Sequence, residues 1–107
     1  MIYLNIHQAD EGVIIAMCDE SLIGRTLEEG NVFIDLNAYA SFYKGELVKA
    51  EKAKKTVAEY REKMSSANII GEESIGVALA ADIIAKSNIA KVQKIPYAHA
   101  YAVRTSH

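Results

Sequence analysis

The chain opens on a strict alternation, with Ile2, Leu4 and Ile6 on one side and Tyr3, Asn5 and His7 on the other. Period two in β-favouring residues predicts a half-buried strand. Gln8 to Gly12 has turn chemistry, and its length suits a hairpin into the next strand. Val13 to Met17 is apolar at every position, the pattern of a strand covered on both sides or lying at a sheet centre. Val32 to Leu36 predicts a third strand, with Asp35 facing solvent or lying at the strand end. Between them Asp19-Glu20-Ser21 breaks the apolar run, Leu22-Ile23 suits a short edge strand or an irregular link, and Gly24 and Gly30 mark turns. The strands Val13 to Cys18 and Val32 to Leu36 are thus expected to begin a sheet that the remaining segments cover.

Further along, the period changes. Leu47, Ala50, Ala53, Val57, Tyr60 and Met64 recur at steps of three and four, which predicts a helix over Leu47 to Met64 with one apolar stripe. Lys49, Lys52, Lys55, Glu59 and Glu62 fall on its other face, and Asn68 is expected to close it. A second helix is predicted over Glu72 to Lys86, its acidic start and basic end complementing the helix dipole, with Asn88 as its left-handed cap. Ile89 to Ile95 and Tyr97 to Val103 flank the single proline, Pro96, which marks an edge, a bulge or a break. Tyr97, His99, Tyr101 and Val103 alternate with Ala98, Ala100 and Ala102, giving a strand with one bulky and one alanine face. The expected fold is α+β: a two-layer domain spanning 1–107, its mostly antiparallel sheet of four or five strands covered on one face by two helices.

Composition narrows the function classes. Half of the 107 residues are hydrophobic and 24% are charged, which is globular rather than disordered. A lone cysteine, Cys18, favours a reducing compartment, and the N-terminal residues lack signal-peptide character. No apolar helical run approaches the roughly 20 residues of a membrane span. A soluble cytoplasmic protein is expected, with no membrane partner. The net charge of −2 hides a sign change: residues 1–36 hold one base against seven acids, and residues 44–63 hold seven bases against four acids.

Two constellations carry candidate chemistry. Cys18-Asp19 at a strand end is a candidate catalytic pair, with His7 or His99 as base, since a thiol nucleophile needs one nearby. An adjacent Asp19 raises a thiol pKa rather than lowering it, and free cysteine is among the most buried residue types. The second constellation sets Lys49, Lys52 and Lys55 of the first helix beside Tyr43, Tyr97 and Tyr101. Lysines on phosphates and rings on bases would make an RNA-binding face whose affinity falls steeply with salt. Tyr39, Phe42 and Tyr43 either plug the seam between sheet and helix or form a platform for a partner. There is no calcium-loop spacing, no Cys/His cluster and no phosphate-binding glycine pattern, so no metal or cofactor is expected.

Four segments carry a family resemblance: CDESLIGRTLEEG from Cys18, FYKGE from Phe42, NIIGEESIGVAL from Asn68 and IPYAHA from Ile95. In this order and spacing the chain resembles the small archaeal proteins known as domain of unknown function 424, over roughly residues 1–100. Where the family motif runs Gly-Val-Pro-His, this chain has Lys94-Ile95-Pro96-Tyr97, and its histidine, His99, stands two places later. The resemblance implies an α+β fold, an archaeal cytoplasmic setting and an association with translation and its RNAs. It brings no established activity. The leading expectation is therefore a non-enzymatic interaction module with an RNA or ribonucleoprotein partner. The alternatives are a small enzyme or ligand-binding protein using Cys18, Asp19 and a histidine, and a structural protein that homodimerises through an exposed, alanine-faced C-terminal strand.

Overall fold

The first alternation does become a hairpin. In the computed structural model, which describes residues 1–101, β1 (Ile2–Ala9) pairs antiparallel with β2 (Gly12–Asp19), in register from Ile2↔Asp19 to Ala9↔Gly12. After a 3₁₀ turn at Glu20–Leu22, β3 (Thr26–Glu29) and β4 (Val32–Asp35) form a hairpin of their own. Gly30, at φ 59, takes the left-handed position of its two-residue loop. Then come α1 (Ala40–Tyr43), β5 (Glu46–Val48), α2 (Ala50–Tyr60), β6 (Met64–Ile70), α3 (Glu72–Ala80), β7 (Ile89–Val92) and β8 (Ile95–Tyr101). The sheet runs β5-β1-β2-β6-β8-β7; β2 and β6 are parallel and every other pair is antiparallel.

The fold is α+β with two helices on one face, as expected, on a six-stranded sheet plus a hairpin rather than on four or five strands. Ile2, Leu4, Ile15, Met17 and Ile69 point toward Ala53 and Val57 of α2 and Ile75 and Ala78 of α3, forming the main core. On the opposite face Cys18, Ile70 and Val92 meet Leu22, Leu27 and Leu36 in a second core under the β3–β4 hairpin. Val32–Asp35 is a strand, but it does not join the sheet of β2. Both edges of β2 are taken by β1 and β6, so the hairpin lies over the sheet. No helix among the described residues is long and apolar enough to cross a membrane.

Several expected boundaries move. The helical stripe is real for Ala50, Ala53, Val57 and Tyr60, but its expected ends belong to strands: Leu47 sits in β5, exposed, Met64 begins β6, and a 3₁₀ turn at Arg61–Lys63 ends the helical run. Asn68 lies inside β6 rather than at a helix end. The second helix stops at Ala80, six residues early. Asp82 adopts φ 59 there, its N–H bonds Leu79 O at 3.1 Å, and the N–H of Ile83 reaches back to Ala78 O at 3.0 Å. This is a Schellman stop with aspartate in the place glycine usually takes, so the cap expected at Asn88 is not needed. Pro96 lies within β8 just beyond the reach of β6, whose pairing begins at Ile70↔Tyr97, and its carbonyl accepts the Gly71 N–H. β8 lies between β6 and β7, with β7 pairing along Ile95 to Ala98, and Ala98 and Ala100 are buried against the helix side. The expected strand end at Val103 and the basic Arg104 lie outside the described residues.

One polar contact ties these parts together. Asp19, at the end of β2, accepts hydrogen bonds from the N–H groups of Glu73 (3.1 Å) and Ser74 (2.8 Å) and from the Ser74 hydroxyl (2.7 Å). It thereby satisfies the open first turn of α3, the task of an N-cap carried out by a residue remote in sequence. Gly71 occupies the local N-cap position at φ 110, and a Cβ there would collide with the Asp19 carboxylate. Asp19→Ala should lower stability by about 1–2 kcal/mol, and Gly71→Ala by roughly 1–3 kcal/mol. Urea midpoints at unchanged slope are the measurement, and a shift within error for Gly71→Ala would refute the close approach.

Candidate functional site

Alternation divides the central strands into two sets of side chains. On the side away from the helices, register aligns three rows across β1, β2, β6 and β8. The first row is Tyr3, Cys18, Ile70 and Tyr97. The second is Asn5, Ala16, Asn68 and His99. The third is His7, Ile14, Ser66 and Tyr101. The β3–β4 hairpin covers the first row, α1 lies over the β1 end of the second and third, and His99 and Tyr101 at the β8 end are exposed.

The single turn of α1 is anchored to this surface from β1. Phe42 stacks flat on the His7 ring at 4.5 Å, and its carbonyl accepts the Asn5 amide at 3.2 Å and His7 Nε2–H at 2.7 Å. Phe42 meets Tyr43 edge to face at 5.1 Å, and Tyr43 turns down into the second core. The aromatic run 39–43 is thus divided: Tyr43 plugs the seam, whereas Tyr39 remains 65% exposed. Lys44 lies 5.7 Å from the Tyr3 ring centroid, within cation–π range. Seven of the eight aromatic residues lie on this side, Tyr60 alone packing with the helix-side core.

Between hairpin and sheet runs a cleft with two adjoining lobes. One, of about 360 Å³, is bordered by Phe33, Asp35, Tyr39 and Phe42. The other, of about 210 Å³, is bordered by Ile70, Tyr97 and His99. Ile34, Tyr43 and Asn68 belong to both lobes, which places Asn68 at their junction. Its carboxamide makes no hydrogen bond to any described residue. The Asp35 carboxylate is already engaged, accepting the N–H groups of Asn37 and Ala38 at 3.0 and 2.9 Å.

The sequence-predicted residues fall into separate places. Cys18 is fully buried, and burial, with the Asp19 charge second, pushes its thiol from 9.0 up to about 12. Asp19 is occupied with α3. Strand spacing puts His99 about 12 Å and His7 about 14 Å from Cys18 along the sheet, so neither histidine adjoins the thiol. Tyr43, Tyr97 and Tyr101 do share one side. Lys49, Lys52 and Lys55 lie at α2 on the opposite side of the sheet, and Lys52 is ion-paired with Glu46. Among the described residues no three His, Cys, Asp or Glu side chains gather as a metal site. The sequence does not single out Asn68, because the expected helix places it at a helix end. The signal was there in Ala67 and Ile69 alternating with Ser66, Asn68 and Ile70.

Tyr43 is raised from 10.0 to about 12, by burial first and by Cys18 second. Both groups keep their protons when folded at pH values where the unfolded chain loses them, so the stability they provide is complete below pH 9 and declines as pH rises toward 12. Urea unfolding across that alkaline range should show the fall, and Cys18→Ala should remove the part that begins near 9. Alkylation of Cys18 at neutral pH should require unfolding; rapid labelling of the native protein would contradict this burial.

The fold is similar to a crystal structure of an uncharacterized conserved protein from Methanopyrus kandleri, at a TM-score of 0.84 and 23% identity, covering 99% of this chain and 95% of that one. No curated protein matches the sequence. The four segments quoted above now stand on a common framework, and a family match covers nearly all of it: the chain belongs to the family described as protein of unknown function (DUF424), matched over residues 6–103.

Proposed function

We propose that this chain is a non-enzymatic interaction module that holds single-stranded RNA on the aromatic side of its sheet, within translation or another RNA-containing complex. The observation that carries the proposal is the destination of the rings. Phe33, Tyr39 and Tyr101 are 60, 65 and 71% exposed on the side that already holds most of the aromatic residues. Large rings left in water are costly, and a cluster of them marks a binding surface. Unpaired bases stack on such rings for about 1–3 kcal/mol each, whatever their identity. The association with translation is part of this proposal, prompted by the family resemblance of the sequence.

Electrostatics orient the strand. Asp35 borders the cleft, and Asp10 and Glu11 border the surface beside Tyr101, so bases face the sheet and phosphates face solvent. The lysines of α2 are on the other side and take no part in this face. Binding should therefore rest on stacking and depend weakly on salt, unlike the steep dependence expected if those lysines held the phosphates. With one or two cations engaged, the slope of log affinity against log salt should be about −1.

Fluorescence anisotropy with a short labelled single-stranded RNA tests this. Tyr39→Ala and Tyr101→Ala should each weaken binding by roughly tenfold, and joint replacement of Lys49, Lys52 and Lys55 by alanine should leave it nearly unchanged. Binding lost in the lysine variant and kept in the tyrosine variants would move the contact to α2. No binding at low salt would overturn the proposal.

A further inference from the structure

Asn68 breaks a local rule. It sits mid-strand in β6, paired on both edges, with Ala16 on one side and His99 on the other. Asparagine is disfavoured in strands because its short polar side chain competes for backbone hydrogen bonds and contributes little packing. Here it makes no compensating hydrogen bond to any described residue, whereas the amide NH₂ of Asn5, in the same row, donates to the carbonyls of Ser41 and Phe42 at α1. Positions where such rules fail without local compensation concentrate at functional sites.

The surroundings indicate what it faces. Tyr43 and Tyr97 line the cleft beside it, Ile34 and Ile70 supply apolar wall, and Tyr39 borders the adjoining lobe. A carboxamide offers one donor and one acceptor side by side. That pair matches a planar heterocycle whose edge carries an acceptor next to a donor, while the adjoining rings match its faces. Nucleobases have this chemistry, and asparagine meets adenine in this bidentate way.

We infer that the Asn68 cleft is a base-selecting pocket: it takes one nucleobase of a bound single strand, with Asn68 reading the edge of that base and Tyr43 and Tyr97 enclosing it. This deepens the RNA proposal and rests on it. The exposed Tyr39 and Tyr101 supply affinity without preference, and Asn68 supplies the preference.

Asn68→Val separates selection from folding. Valine suits a strand better than an unpaired asparagine, so the variant should be at least as stable as the parent in thermal unfolding. The parent should prefer one of the four bases at one position of a short RNA by on the order of tenfold. In Asn68→Val that preference should collapse toward one, with binding of the remaining strand retained. An isotope-edited titration of the parent with each nucleoside monophosphate should shift the Asn68 side-chain NH₂ resonances for the preferred base.

The outcomes separate the two proposals. RNA binding with no base preference, or a preference that survives in Asn68→Val, overturns the pocket and leaves the RNA proposal standing. Monophosphate shifts at Asn68 without any RNA binding overturn the RNA proposal and keep a nucleobase pocket. No response to either ligand overturns both, whereas marked destabilisation of Asn68→Val together with silent Asn68 resonances overturns the pocket alone, since the carboxamide would then be structural.

Discussion

The parallel pairing of β2 with β6 is the constraint to which the other elements answer. Parallel neighbours cannot be joined by a tight turn, so a long crossover must leave the end of β2 and return to the start of β6. Here that crossover spans residues 20–63 and visits both faces of the sheet. It lays β3 and β4 over one face, adds β5 at an edge and sets α2 on the other face. Parallel register also brings the C-terminal ends of the two strands together, Cys18 opposite Ile70. Asp19 consequently meets Gly71 and the first turn of α3, and a single carboxylate links the end of β2 to the helix that follows β6.

The two faces of the sheet divide the work. The helix side is a continuous apolar core in which β1, β2 and β8 each contribute alternate residues. The hairpin side is covered at one end, where Cys18, Ile70 and Val92 are sealed by Leu27 and Leu36. Across the remaining rows, side chains that would weaken a closed core become tolerable: Asn5, Asn68, His99 and Tyr101. Partial coverage is thus what leaves aromatic and amide groups gathered at the surface rather than in a closed core.

The segments that carry the family resemblance meet in space. The Cys18 and Asn68 segments join at Asp19, Gly71 and Ser74. Phe42 in the second segment stacks on His7, and His99 in the fourth pairs across the ladder with Asn68 in the third. The first and third segments therefore build the helix cap, and the second, third and fourth contribute to the rim of the cleft. The chemistry that Cys18-Asp19 suggested on paper resolves into packing for the thiol and capping for the carboxylate.

Local periodicity was enough for the first hairpin, the apolar stripe of α2, the α+β class and the placement of helices on one face, because each depends on residues close in sequence. It also showed that Tyr97, His99 and Tyr101 share a face. It misjudged wherever a distant partner overrides local preference. Met64–Ile70 was hidden because Ser66 and Asn68 are poor strand formers, held in β6 only by β2 and β8 on either side. Val32–Asp35 pairs with Thr26–Glu29 and not with β2, which the sequence does not show because an apolar strand carries no mark of its neighbours. Lysines and tyrosines that look like one patch along the chain lie on opposite sides of the sheet, a separation set by strand order. Asp19 as a cap and Asn68 at a cleft junction are facts of three-dimensional proximity: the partners of Asp19 lie more than fifty residues away, and the walls around Asn68 come from four separate segments.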